Sequence, residues 1–417
     1  MPSTTRCLRP TDVEPFVREH CFSPAEGGLV GIELEQLTVP RRRELGVVDH
    51  ESLRAACERL GTLPGGSTIT FEPGGQLEVS SPPRPGSSAA CAVAAADLAV
   101  VSRALADVDV ELVAMGLDPR GCGPRLLTAA RYEAMEAYFD TQGRHGRTMM
   151  CATAALQVNV DVGELAAQAR RWRLVHDLGP VLVATFANSP FAGGAPSGWR
   201  SGRAAVWAGI DPSRTRPAEA GGDDPAADWA RYALGANVMM VRTSEASFEA
   251  LRSPLPFGRW IEEGHELGYP NLEDLAYHLG TLFPPVRARG WLELRMIDAL
   301  PEPWWRAAVA VVCALLDDPE AAALAGRAAA PSSDRWSDAA RHGLAHPGLR
   351  EASRACFVAA LAALPRLGAD ATTLAAAEGF YDRFVDRGRC PADDLLDRHR
   401  RQGGVLPRSP ILEEAWT

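Results

Sequence analysis

Four stretches of the chain alternate polar and apolar residues with a period of two: GIELEQLTV (31–39), GGQLEVSSP (74–82), ALQVNVDV (155–162) and GWLELRMID (290–298). Side chains point to opposite faces along a strand. Glu33 and Glu35 therefore share a face opposite Ile32 and Leu34, and Gln76, Glu78 and Ser80 oppose Leu77 and Val79. In the same way Gln157, Asn159 and Asp161 oppose Leu156, Val158 and Val160, and Glu293 and Arg295 oppose Leu292, Leu294 and Met296. Singly, each stretch reads as a half-exposed antiparallel strand with water on its polar side. Paired in one sheet, they would crowd Glu33, Glu35, Glu78 and Glu293 on one surface, where like charges repel. Divalent cations would relieve that repulsion, and oxygen-only ligands with open positions select magnesium or manganese over zinc.

Between these stretches the periodicity predicts helices over 10–21, 49–60, 87–106, 128–140, 163–186 and 271–282. Strands are expected over 28–39, 108–116, 149–161, 236–242 and 290–297. A hairpin over 67–81 turns at Pro73, Gly74 and Gly75. Residues 188–226, rich in Gly, Pro, Ser and Asp, read as a long loop, and the alanine-rich chain beyond 302 reads as helical to about 385, with Trp304 and Trp305 packing at a helix start. Strands separated irregularly by helices and by a hairpin favour an α+β fold with an antiparallel sheet. The Gly-x-Gly-x-x-Gly fingerprint of a dinucleotide-binding fold is missing. A chain of 417 residues suits one large domain or two closely packed ones. The reading taken here is a single catalytic domain over 1–417, with core motifs at 28–300 and a helical part at 302–417.

Composition removes several functions. All 43 basic residues are arginine, so a Walker A loop and a pyridoxal Schiff base, which both need lysine, are excluded. A net charge of -10, with no basic run longer than Arg41, Arg42 and Arg43, argues against nucleic acid. None of the nine cysteines is in C-x-x-C spacing. His342 and His346 lack the glutamate of a zinc-protease helix. The first ten residues lack a signal-peptide core, and no apolar run is long enough to cross a bilayer, so a reducing cytoplasm is the expected setting.

The segments GIELEQ, FEPGGQLEVSSPP, RYEAMEAYF, ALQVNVD, NSPFAGG, HLGTLFPPVR and WLELRMIDA occur in that order between about 28 and 300. Together they resemble the plant and bacterial glutamate-cysteine ligases, most of all the bacterial branch that opens ergothioneine biosynthesis. The resemblance implies a glutamine-synthetase-like fold, a curved antiparallel sheet with helices packed on its apolar face. It also implies a reaction in which ATP phosphorylates the γ-carboxylate of glutamate and the amine of cysteine attacks the acyl phosphate, with Mg2+ (or Mn2+) as cofactor.

Carried over by motif, Glu33 and Glu35 resemble paired metal ligands, and Glu78 and Glu293 ligands on the second and the late strand. Glu72 ranks below Glu78, because the glycine turn leaves its direction open. Arg295 resembles the residue facing the transferred phosphate, so Arg295 and Glu293 are the catalytic candidates. Gln157 stands where more distant ligases carry a histidine ligand; with Asn159 it is a candidate for holding ATP or substrate. Arg203 in GWRSGRAAVW resembles an arginine of the substrate-binding loop, and Arg203 and Arg287 are candidates for the α-carboxylate of glutamate. His278 in HLGTLFPP joins the substrate-side candidates. Three alternatives stay open: a ligase using another amine, a guanidine phosphotransferase, and a non-catalytic sensor. Oligomeric state is not legible.

Overall fold

The computed structural model describes residues 7–25, 27–41, 48–244 and 246–404. Its strands, in chain order, are β1 Leu29–Pro40, β2 Thr68–Phe71, β3 Leu77–Ser80, β4 Arg84–Pro85, β5 Val110–Val113, β6 Ala155–Asp161, β7 Phe191–Ala192, β8 Ala195–Pro196, β9 Met240–Ser244, β10 Ser247–Ala250, β11 Val286–Ala288 and β12 Trp291–Asp298. The main sheet runs β11-β12-β6-β1-β3-β2, with β4 and β5 also paired to β1. Every pairing is antiparallel.

The apolar face of this sheet is set by the alternation. Val30, Ile32 and Leu34 of β1 join Leu156, Val158 and Val160 of β6 and Leu292 and Leu294 of β12 in one core. Helices α1 Pro10–Cys21, α2 His50–Leu60 and α3 Gly86–Ala106 come first, followed by α4 Ala130–Asp140, α5 His145–Ala152 and α6 Leu165–Thr185. After α7 Gly202–Ala208, α8 Pro212–Thr215, α9 Pro225–Gly235, α10 Phe257–Glu263 and α11 Leu272–Gly280 comes α12 Trp304–Asp317, which is buried almost all round, as an apolar helix without a polar face must be. Ala90, Cys91 and Ala94 of α3 and the buried apolar residues of α6 and α12 belong to the same core as the sheet, and so do those of the later helices that include Leu349, Phe357 and Phe380. The helical C-terminal part thus shares its interior with the strands.

α3 corrects one expectation, because its length and apolar composition are enough to cross a membrane. Here it packs into the protein: Ala90, Cys91 and Ala94 enter the core, and the buried Asp97 accepts hydrogen bonds from the Gly65 and Ser67 amides at 2.7 and 3.0 Å.

Residues 149–161 are not one strand, since α5 runs to Ala152 before β6 starts. Residues 188–226 form a small hairpin, β7 and β8, then α7, α8 and the start of α9. The residues that read as loop formers are helix caps: Ser201, Asp211 and Asp224 accept amide hydrogen bonds at the three N-termini, and Pro212 and Pro225 occupy first-turn positions. After 236 the strand begins late, at Met240, and turns back into β10 before α10. A last helix, Pro391–Arg401, extends beyond the expected end at 385. Arg42 and Arg43 of the basic run lie outside the described residues.

Candidate active site

Register brings the polar positions together. Glu35 lies directly opposite Glu78, Glu33 is flanked by Ser80 and Gln157, and Glu293 faces Asn159 on one side and Arg287 on the other. Glu72 arrives from the β2–β3 turn, closed by Gly75 N–H donating to the Glu72 carbonyl at 2.8 Å, with Gly75 at φ +88° where only glycine is unstrained. As a result Glu35, Glu72 and Glu78 each offer an oxygen within 4.8 Å of the others.

Like charges packed out of water raise each other's pKa. Burial and then Glu35 and Glu78 push Glu72 up to about 8. Burial, with Glu293 and Glu78, brings Glu33 to about 7 despite a hydrogen bond donated by Asn159 at 2.9 Å. Glu35 and Glu78 are also raised, chiefly by burial. Glu35 accepts from the Ala155 amide at 2.7 Å and from Gln157 at 2.8 Å, so its oxygens are aimed by β6. Three converging carboxylates and no nitrogen or sulfur ligand fit a hard divalent cation.

The other end of this face is cationic. A bulge in β12 between Leu294 and Ile297 sets Arg295 beside Gln157, whose amide oxygen accepts from its guanidinium at 2.6 Å. Arg295 also lies 3.1 Å from Glu293. Burial works against its charge, but Glu293, Glu35, Glu33 and Glu72 together raise its pKa. Arg203, on α7, donates to the Arg295 carbonyl at 2.8 Å, and both guanidiniums sit over the Trp207 ring, at 5.4 and 5.8 Å. The Nε atoms of Arg203 and Arg295 are buried without a partner among the described residues. Both arginines line a cavity of ≈ 320 Å³ walled by Trp199, Trp207, Phe283 and Trp336.

Three of the expected residues have protein partners of their own. Glu293 is gripped by Arg287 at 2.5 and 3.0 Å as well as by Arg295, and although burial pushes its pKa up, the two arginines hold it at about 2. Both of its oxygens are thus met by arginines. Arg287 has no nitrogen to spare for a substrate carboxylate, because its remaining NH group donates to the Gly280 and Leu282 carbonyls. His278 is a packing residue: its ring stacks on Phe257 at 4.4 Å, its Nε2 bonds the Ala233 carbonyl, and burial, helped by Arg214, brings it down to about 3.

One residue was missed. Asp298, at the end of β12, accepts from the Asn188 amide and from the Ser189 and Ser201 hydroxyls at 2.8, 2.6 and 3.0 Å. Ser189 in turn accepts from the Arg203 amide. The clamp that places the Arg203 helix is therefore built from NSPFAGG, GWRSGR and the terminal Asp of WLELRMID, a signal visible only as three separate motifs.

Converging carboxylates thus lie beside two arginines whose Nε atoms are unpartnered among the described residues. The profile of glutamate-cysteine ligase family 2 (GCS2) matches residues 29–411, and the chain belongs to that family. It is 41% identical over 392 residues to the glutamate-cysteine ligase EgtA of Mycobacterium tuberculosis, covering 92% of this chain and 89% of that one. Its identity to the EgtA of Mycolicibacterium smegmatis is 42%, over 89% of this chain and 87% of the other. The chloroplastic glutamate-cysteine ligase of Nicotiana tabacum is 30% identical over 62% of this chain and 50% of its own length. Among solved structures, a bifunctional glutathione synthetase from Pasteurella multocida aligns with a TM-score of 0.49 and 13% identity over 94% of this chain and 51% of that one.

Proposed function

We propose that this enzyme uses ATP to join the γ-carboxylate of glutamate to the amine of cysteine, giving γ-glutamylcysteine, and that the product feeds ergothioneine biosynthesis, as the motif resemblance implies. One observation carries the chemistry: Glu35, Glu72 and Glu78 converge on the sheet face that carries Arg295, beside Arg203 of α7. Glu35, Glu72 and Glu78, with Glu33 beside them, would hold Mg2+ or Mn2+, which when bound would neutralise phosphate charge.

Phosphoryl transfer asks for positioning and charge neutralisation more than for a protein nucleophile. Arg295, held by Gln157 and Glu293, is the candidate to meet the phosphoryl group as it moves to the γ-carboxylate. Arg203, lining the same aromatic cavity, is the candidate for a substrate carboxylate. Asn159 and Gln157 act by orienting Glu33 and Glu35 rather than by contacting adenine. The amine of cysteine attacks the acyl phosphate, phosphate leaves, and an amide forms.

Mass spectrometry of a reaction holding glutamate, cysteine, ATP and magnesium should show γ-glutamylcysteine and ADP in equal amounts. 2-Aminobutyrate, which lacks the thiol, should serve as a poorer acceptor. ADP without an amide, or amide formation only with some other amine, would overturn the reading.

A further inference from the structure

Arg203 and Arg295 bring two like charges to one cavity, and the side chain that both of them meet is Trp207. Trp207 follows Arg203 by four residues on α7, the spacing that makes neighbours on a helix surface. The Arg203 guanidinium lies 5.4 Å from the ring centroid, and Arg295 reaches the same ring from β12 at 5.8 Å. The ring is itself braced, since Phe283 meets it edge-on at 5.9 Å and 73°. α7 is held at its start, where the Gly202 amide donates to the Ser189 carbonyl at 2.8 Å and a β-carbon on Gly202 would lie 2.7 Å from that oxygen.

What balances these charges is the informative point. Arg203 is buried, and the carboxylates that favour its charge, Asp298 and Glu35, act through space while Arg295 opposes it. Asp298 accepts instead from Asn188, Ser189 and Ser201, and Glu35 accepts from Ala155 and Gln157. Arg295 does touch a carboxylate, Glu293, but shares it with Arg287. A carboxylate in the place of Trp207 would neutralise the two arginines and take their N–H groups, as Glu293 takes those of Arg287. An aromatic face attracts a cation without accepting a conventional hydrogen bond. The Nε atoms of both arginines accordingly stay unpartnered among the described residues.

We propose that Trp207 is a positioning residue of the reaction, whose ring holds Arg203 and Arg295 side by side as cations while leaving their N–H groups free for the anionic groups of the substrates. What the arginines bind rests on the ligase reading above; the contact with the ring does not. The role is electrostatic, so it depends on the electron density of the ring face and not only on the space that the ring fills.

The test varies that density in the full chain. Tryptophans carrying one, two or three fluorines, introduced at position 207 alone, keep the shape of the ring and drain its face. Turnover should fall stepwise with each fluorine. Trp207→Leu, which fills space without a π face, should lose roughly ten- to hundredfold in kcat/KM for glutamate, the size of one or two desolvated cation–π contacts. KM for glutamate should rise and kcat should fall together, because the ring serves the arginine assigned to each. Trp207→Phe, which keeps a ring, should lose less than Trp207→Leu. Equal turnover across the fluorine series would overturn the electrostatic role, and a Trp207→Leu enzyme that melts earlier but turns over normally would make Trp207 a packing residue. In urea denaturation the cost of Trp207→Leu should shrink when Arg203 is already Met, since residues in contact are not additive; additive costs would overturn the contact. Denaturation needs no turnover, so a parent that makes no γ-glutamylcysteine would count against the ligase reading alone.

Discussion

Glu35 and Glu293 stand on central strands of one sheet, both on its polar face and both buried, at 9% and 1% exposure, yet their chemistry diverges. Burial raises Glu35, whereas Glu293 is held at about 2. Depth therefore does not decide the ionisation. The difference is local: Arg287 grips both oxygens of Glu293, while the Glu35 end gathers Glu72 and Glu78. One end of the face is balanced within the protein, and the other is left short of positive charge. A scaffold of arginines and an opening for a cation are built from the same residue type by neighbours alone.

Breaking the balanced end should cost most. Arg287→Met leaves Glu293 buried with one fewer partner, and loss of one member of a buried ion pair typically destabilises by ~3–5 kcal/mol. Urea denaturation should show it, and Arg287→Met with Glu293→Leu should recover most of the loss. A single variant as stable as the parent would dissolve the contrast between the two ends.

Arg295 belongs to both ends, since it touches Glu293 and is also drawn by Glu35, Glu33 and Glu72. Arg295→Lys keeps the charge but loses the planar fork. Removing one preorganised donor costs about 2.7–4 kcal/mol, so kcat should fall roughly a hundred- to thousand-fold with KM for glutamate little changed. If Arg295 only held the strand end, the variant would melt earlier while its folded fraction turned over normally, which calorimetry beside kcat would reveal.

The unbalanced end carries a telling sign. Glu72 at about 8 and Glu33 at about 7 are raised above their ordinary 4.5. The protonated forms fit the fold better, so the stability they contribute is full below about pH 4.5 and is lost as pH rises through 7 to 8. The metal-free melting temperature should decline from pH 5 to 8, and magnesium should raise it more at pH 8 than at pH 6, because protons compete for the same oxygens. Glu78→Gln removes the charge directly opposite Glu35 and should stabilise the metal-free protein at pH 8 by ~0.2–1 kcal/mol, while ending the magnesium response and turnover. A variant that still binds magnesium and turns over normally would show that Glu78 is not a ligand.

Much of this was legible without coordinates. Period-two alternation assigned Glu33, Glu35, Glu78, Glu293 and Arg295 to polar strand faces because side-chain direction along a strand is a local property of the backbone. The same local logic located the hairpin at Pro73 to Gly75 and the helix start at Trp304 and Trp305. It failed where composition was ambiguous: in 188–226 the Ser, Asp and Pro that break regular structure also cap short helices, and only packing chose between the two.

What the sequence determined by itself is which residues could face one another; what the tertiary structure decided is which partner each one meets. Glu72 joined Glu35 and Glu78 because a glycine-dependent turn swung it inward, and no periodicity reports the direction of a turn. Arg287 spent its nitrogens on Glu293 and on the carbonyls of Gly280 and Leu282, and His278 went to Phe257, through contacts that alternation does not encode. Asp298 tied together segments about a hundred residues apart in the chain. Charge interactions in a buried site depend on distances of a few ångströms, and those are set when strands pair and helices dock, not by the spacing of residues along the chain.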